Sequence, residues 1–166
     1  MRLIVGPERH WRAGCLLRGA DALLLRSPDA PPVEAGRALE LRFNDIAEPR
    51  PGLVAPDAQI VARILAFGAA PRTLAIHCYA GVSRSTAAAY ALACQHAGPG
   101  SEERLALDLR RLSPAATPNS LMVALADDAL NRAGRMSAAI AAIGRGAEAF
   151  EGPLFEWRLD PHPAGD

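Results

Sequence analysis

Apolar residues come in short runs separated by turn residues along the first half of the chain, and at helical spacing along the second half. Residues 3–5, 22–25, 38–43 and 73–77 read as strands. Between the third and fourth runs, Pro56 and Asp57 open a helix. Its apolar stripe is Ile60, Val61, Ile64, Leu65 and Phe67, and Gly68 lies near its end. Strand, helix and strand in that order predict a parallel βαβ unit, with its ligand site at the carboxyl ends of the strands.

Four further helices are expected. One is alanine-rich and covers 85–95; the next covers 101–112, with Ser101 as cap and Glu102 and Glu103 in its first turn. Thr117 followed by Pro118 predicts a cap and first turn for a helix running to 132 or 133, and a shorter one covers 136–143. Residues 152–166 contain Pro153, Pro161 and Pro163 and predict an irregular tail. With no repeat or linker in view, the expected organisation is one α/β domain over 1–151 followed by that tail. Its short, mainly parallel central sheet should be flanked by helices.

Composition narrows the function classes. Of 166 residues, 50% are hydrophobic and 22% charged, which excludes a disordered, collagen-like or coiled-coil chain. Eighteen basic residues balance eighteen acidic ones, so no global field draws the chain to nucleic acid or an anionic membrane, and any anion site must be local. All the basic residues are arginine, which fits a GC-rich bacterial genome. Without lysine, Schiff-base chemistry and a Walker A loop are excluded. No signal-peptide core or membrane-length apolar stretch is present, and Cys15, Cys78 and Cys94 are an odd set. A cytoplasmic protein with free thiols is expected.

The segment carrying chemistry is His77-Cys78-Tyr79-Ala80-Gly81-Val82-Ser83-Arg84-Ser85, which leaves a predicted strand and enters a predicted helix. The backbone amides of such a loop, joined by the helix N-terminus, can converge into a cradle for a phosphate-sized dianion. Tyr79, Ala80, Gly81, Val82 and Ser83 would supply them, with Gly81 allowing a close approach. The same cradle favours the Cys78 thiolate. Arg84 offers a planar fork to two oxygens, and Ser85 a hydrogen bond to the sulfur. His77 suits an orienting role better than a basic one.

This loop resembles the signature of cysteine-dependent protein tyrosine phosphatases, in particular the dual-specificity branch with its H-C-x-A-G-x-S-R-S form. The resemblance implies a general-acid aspartate about 30 residues upstream. Asp45, 33 positions before Cys78 and at the end of the third expected strand, matches it. It also implies an asparagine bracing the phosphate loop, for which Asn119 in Thr117-Pro118-Asn119 is the candidate. Together with Asn44-Asp45-Ile46, these motifs look most like small bacterial tyrosine phosphatase-like proteins from about 39 to 146; the first strands match only in pattern. A separate tyrosine-recognition loop is missing, and so are the lysines that phosphoinositide phosphatases carry between Cys and Arg.

The implied reaction is hydrolysis of a phosphate monoester, on a phosphorylated protein or a small molecule, through a phosphocysteine, with no metal or organic cofactor. Its rivals are rhodanese- or arsenate-type thiol chemistry and a phospho-ligand binding module without turnover. Glu48 and Asp57 are alternative acids, although Asp57 also suits a helix cap. Cys15 and Cys94 read as buried small hydrophobes, with trapping of oxidised Cys78 as the functional alternative.

Overall fold

The structure, a computed structural model, describes residues 1–12, 20–33, 38–70 and 72–159. In chain order the elements are β1 (Arg2–Pro7), α1 (Glu8–Arg12), β2 (Asp21–Arg26), β3 (Ala38–Arg42), α2 (Ala58–Phe67), β4 (Thr73–Cys78) and α3 (Arg84–Ala97). They continue with α4 (Glu102–Leu112), α5 (Ser120–Ala129), α6 (Arg135–Ile143) and β5 (Phe155–Arg158). The sheet order is β3-β2-β4-β1-β5. Only β5 is antiparallel; the other three pairings are parallel. The expected α/β architecture with a short, mainly parallel sheet is thus present, and α2 carries the chain from β3 across β2 to β4.

Burial follows from the period-2 pattern of the strands. Leu3 and Val5, Leu23 and Leu25, and Leu74 and Ile76 face a large core shared with α2 to α6. Ala22, Leu24 and Ala75 point to the opposite face, where Trp11 of α1 and Val33 pack over them. Because β2 is buried on both faces, it reads as a continuous apolar run. Helix α3 is buried nearly all round. Its alanines let it lie close against β1 and β4 while α4 and α5 pack on its outer surface.

Four expectations need correction. The stretch from 152 is not irregular throughout: Phe155 and Trp157 alternate inward with Glu156 and Arg158, and β5 pairs with β1 through Val5 and Phe155. Prolines flank that strand without entering it. Thr117 does not cap the fifth helix; Asn119 does, its Oδ1 accepting from the Met122 amide at 3.0 Å. That helix also stops at Ala129, because the following turn places Asn131 and Ala133 at positive φ and Asp127 accepts hydrogen bonds from the Gly134 and Met136 amides at the head of α6. Finally, Ser101 is the N-cap residue of α4 as expected, but its hydroxyl donates to the Gly98 carbonyl instead of accepting from a first-turn amide. Asp57 caps α2 as expected, accepting from the Ile60 amide at 2.8 Å.

Candidate active site

Strands β1, β2, β3 and β4 all run in one direction, so their carboxyl ends share one edge of the sheet. The segment from Cys78 to Arg84 leaves β4 at that edge and turns into α3. Four of its carbonyls are taken by surrounding backbone. The Glu8 amide donates to Tyr79 O at 3.3 Å, Gly152 to Ala80 O at 2.8 Å, Thr117 to Val82 O at 2.9 Å and Asn119 to Ser83 O at 3.4 Å. The Thr86 hydroxyl also reaches Val82 O. Among the described residues, by contrast, the amides of Ala80, Gly81, Val82 and Ser83 have no acceptor. Backbone amides without acceptors are costly unless something else satisfies them. A loop with its carbonyls tethered outward and its amides unclaimed is a nest for an anion.

Gly81 is required here. Its φ is +67°, and a Cβ would stand 2.5 Å from the Pro7 nitrogen. The loop therefore rests directly on the end of β1.

Cys78 Sγ lies 3.2 Å from Ser85 Oγ, a hydrogen bond buried at the start of α3. Arg84 is 4% exposed and donates from Nη1 to Phe43 O at 2.8 Å, with its guanidinium 5.8 Å above the Phe43 ring. Its Nε is buried without a partner, and among the described residues it makes no ion pair. A buried guanidinium lacking a carboxylate is expensive. An oxyanion in the adjacent nest would supply the missing charge.

Asp45 follows β3 and is exposed. Its Oδ1 accepts from Ser83 Oγ at 2.7 Å and from Asn119 Nδ2 at 2.8 Å, which joins the carboxylate to the loop and leaves Oδ2 outside that pair of bonds. Asn44 closes the neck of the segment behind it: its amide donates to Val54 O at 2.7 Å, and its Oδ1 accepts from the Val54 amide at 2.8 Å. Asn119 differs from the expectation in detail. Its side chain holds Asp45 and Ile46 O, and only its main-chain amide reaches the loop. Asp57 is engaged as a cap, and Glu48 lies exposed in the segment beyond Asp45.

His77 is buried on the other face of β4, where Nδ1 donates to Gly6 O at 3.1 Å and the ring lies 6.3 Å from Trp11. Burial pushes its pKa below the ordinary histidine value. Because a carbonyl only accepts, Nδ1 carries a proton. Tyr79 is 64% exposed and lines clefts with Glu8, Asp29 and Glu151. Cys94 is buried in α3, nine residues beyond Ser85 and so about 13 Å further along the helix. That distance rules out a disulfide with Cys78 in this conformation. Cys15 lies outside the described residues. Among the described residues no cluster of His, Cys, Asp or Glu is placed to hold a metal, and no helix is long and apolar enough to cross a membrane.

Sequence reasoning missed the residues that hold the loop from behind: Phe43, Glu8, Thr86, Thr117 and Gly152. Four of the five act through backbone groups, which carry no residue-type signature. Thr86 alone could have been found, since a hydroxyl one turn into a helix can bond back to the carbonyl three or four residues earlier.

No family model matches the chain, and no curated protein matches it in sequence. Its likeness to solved structures is of shape. A mouse protein described as a dual specificity phosphatase, in complex with zinc tungstate, superposes with a TM-score of 0.54 at 19% identity, covering 82% of this chain and 86% of its own. Tk-PTP in its active form gives 0.51 at 20% identity over 80% of this chain and 93% of its own. DUSP15 gives 0.51 at 18% identity over 89% of this chain and 94% of its own. With its five-stranded sheet flanked by helices, this chain has the dual-specificity phosphatase fold of these structures.

Proposed function

We propose that the protein is a phosphate monoester hydrolase of the protein tyrosine or dual-specificity type, working through a phosphocysteine on Cys78. The observation that carries this reading is Arg84, buried without a carboxylate partner at the end of the same loop that carries the unclaimed amides and begins at Cys78. Solved phosphatases share the fold, and one of them is complexed with tungstate, a tetrahedral oxyanion like phosphate.

In this reading the amides of residues 79–83 and the Arg84 guanidinium bind the equatorial oxygens, a grip that strengthens as charge develops in the transition state. The Cys78 thiolate attacks phosphorus, forming an S–P bond as the ester P–O bond breaks. Asp45, its Oδ1 held by Ser83 and Asn119, passes a proton from Oδ2 to the leaving oxygen. Water then attacks the phosphocysteine and returns a proton to Asp45. The Ser85 hydroxyl donates to the sulfur as the S–P bond breaks and inorganic phosphate leaves. His77 positions the loop through Gly6 and exchanges no proton with substrate.

The test is hydrolysis of p-nitrophenyl phosphate and phenyl phosphate in the presence of chelator. Wild type should turn over both, and Cys78→Ser neither. Asp45→Asn should lose about 10² to 10⁴ in kcat on phenyl phosphate and much less on p-nitrophenyl phosphate, whose leaving group needs little protonation. A wild-type protein with reduced Cys78 that binds tungstate without turnover would overturn the enzyme in favour of a phospho-ligand binding module.

A further inference from the structure

The segment 146–154, between α6 and β5, meets the loop directly at Gly152 and indirectly, through residues 114–117, at its other end. At one end the Gly146 amide donates to Thr117 Oγ1 at 3.1 Å and the Ala147 amide to Pro114 O at 2.9 Å. A Cβ on Gly146 would stand 2.5 Å from Ala115 O. Thr117 in turn donates its amide to Val82 O. At the other end the Gly152 amide donates to Ala80 O at 2.8 Å, and a Cβ there would stand 2.6 Å from Gly81 O. Beyond it, Leu154 packs on Gly6, and β5 joins the edge of the sheet at β1.

Of the four amides that tether loop carbonyls, Gly152 is the one delivered by this segment, and it acts at the most constrained point. A peptide plane is rigid, so turning Ala80 O outward turns the Gly81 N–H the other way. Gly81 itself is fixed from the opposite side by Pro7. The Ala80–Gly81 peptide is thus clamped between β1 and residue 152, and the clamp admits no side chain at 152.

We propose that Gly152 is a positioning residue for the phosphate loop, its amide and its missing side chain setting the orientation in which the Ala80–Gly81 region presents its amides to an oxyanion. The inference rests on the reading of this loop as an oxyanion cradle. An added Cβ must push the Gly81 carbonyl, a backbone atom, so the displacement passes into the cradle and not into a flexible side chain. Geometry errors of this kind at a preorganised site carry large rate penalties.

Tungstate affinity by calorimetry, measured well below the unfolding transition, tests this together with kcat/KM for p-nitrophenyl phosphate. Gly152→Ala should weaken tungstate binding at least 10-fold and lower kcat/KM in parallel, while Pro153→Ala, at an exposed neighbour, stays within about 2-fold. Unchanged tungstate affinity in Gly152→Ala overturns the proposal. Should that variant fail to fold, wild-type amide spectra decide. The Gly152 resonance should shift along the same tungstate curve as those of residues 80–83, and a stationary Gly152 beside a moving loop overturns it. Failure of wild type to bind tungstate at all would overturn the cradle itself. Tungstate binding without turnover would remove only the hydrolase and leave this inference standing or falling on Gly152.

Discussion

The two ends of helix α3 carry the same residue types in opposite arrangements. At its C-terminal end Arg132 is buried and donates to Glu102 Oε1 at 3.4 Å and to Cys94 O at 2.9 Å, while the Tyr90 hydroxyl donates to Glu102 O. Charge is matched there, and burial pushes the Cys94 thiol up to about 12 and the Tyr90 phenol above its usual range. At the N-terminal end Arg84 is equally buried and has a single carbonyl, and Cys78 lies beside amides with no acceptor. At the first end the protein itself supplies the carboxylate, although Arg132 Nε, like Arg84 Nε, has no hydrogen-bond partner. At the other no carboxylate meets the guanidinium, and in the proposed function a ligand with negative charge and several acceptor oxygens would complete it, as a buried polar group marks a site instead of a core.

The largest effect that would break this comparison is on turnover. Arg84→Met should lower kcat/KM by about 10² to 10³, the usual loss when a preorganised oxyanion donor is removed, and leave the melting temperature at or above wild type. The mirror variant Arg132→Met leaves Glu102, which is 3% exposed, with only the half-exposed Arg135 at 3.6 Å, and should cost at most about 3–5 kcal/mol in urea unfolding. The kcat of its folded fraction should stay within about 3-fold. Equal stability losses in the two variants would show that Arg84 is a structural ion like Arg132.

The thiols extend the contrast with a smaller but cleaner readout. With its pKa at about 12, Cys94 should stay unmodified by iodoacetamide at pH 9 until the protein unfolds, as peptide mapping would show. Cys78 should be alkylated in the native protein and protected by tungstate. Alkylation of native Cys94 at a comparable rate would mean that the C-terminal end of α3 is not the sealed environment its contacts describe.

These two ends were not equally legible in the sequence. The loop end was, because the chemistry proposed for it needs fixed residue types at fixed spacing: Cys78, Gly81, Arg84 and Ser85 stand on one strand-loop-helix segment, with Cys78 Sγ 3.2 Å from Ser85 Oγ. Asp45 was found by position after a strand, and it meets the loop through Ser83. The Arg132–Glu102 pair was invisible, since thirty residues separate its members and arginine on a helical surface is ordinary. Strand β5 was hidden by nearby prolines, although Phe155 and Trp157 already showed the alternation of a strand. Gly152 left no trace at all, because what it contributes is an amide and an empty space.

The smallest expected effect concerns His77, whose buried ring lies behind the loop. Burial holds its pKa below 6.5 against the opposing pull of the Gly6 and Pro7 carbonyls. Between that lowered value and 6.5, the unfolded chain takes up a proton that the folded chain refuses. The contribution is therefore complete above pH 6.5 and lost as pH falls through the folded value, with a slope of at most about 1.4 kcal/mol per pH unit. His77→Asn keeps a donor for Gly6 O and removes the titration. Urea midpoints at pH 8 and 5.5 should converge more closely in this variant than in wild type, with His96, also lowered by burial, contributing equally to both proteins. Identical pH slopes in the two proteins would mean that His77 protonates freely in the folded state. The loop would then be backed by a charged ring on the rear face of β4, and the two ends of α3 would differ less than their hydrogen bonds imply.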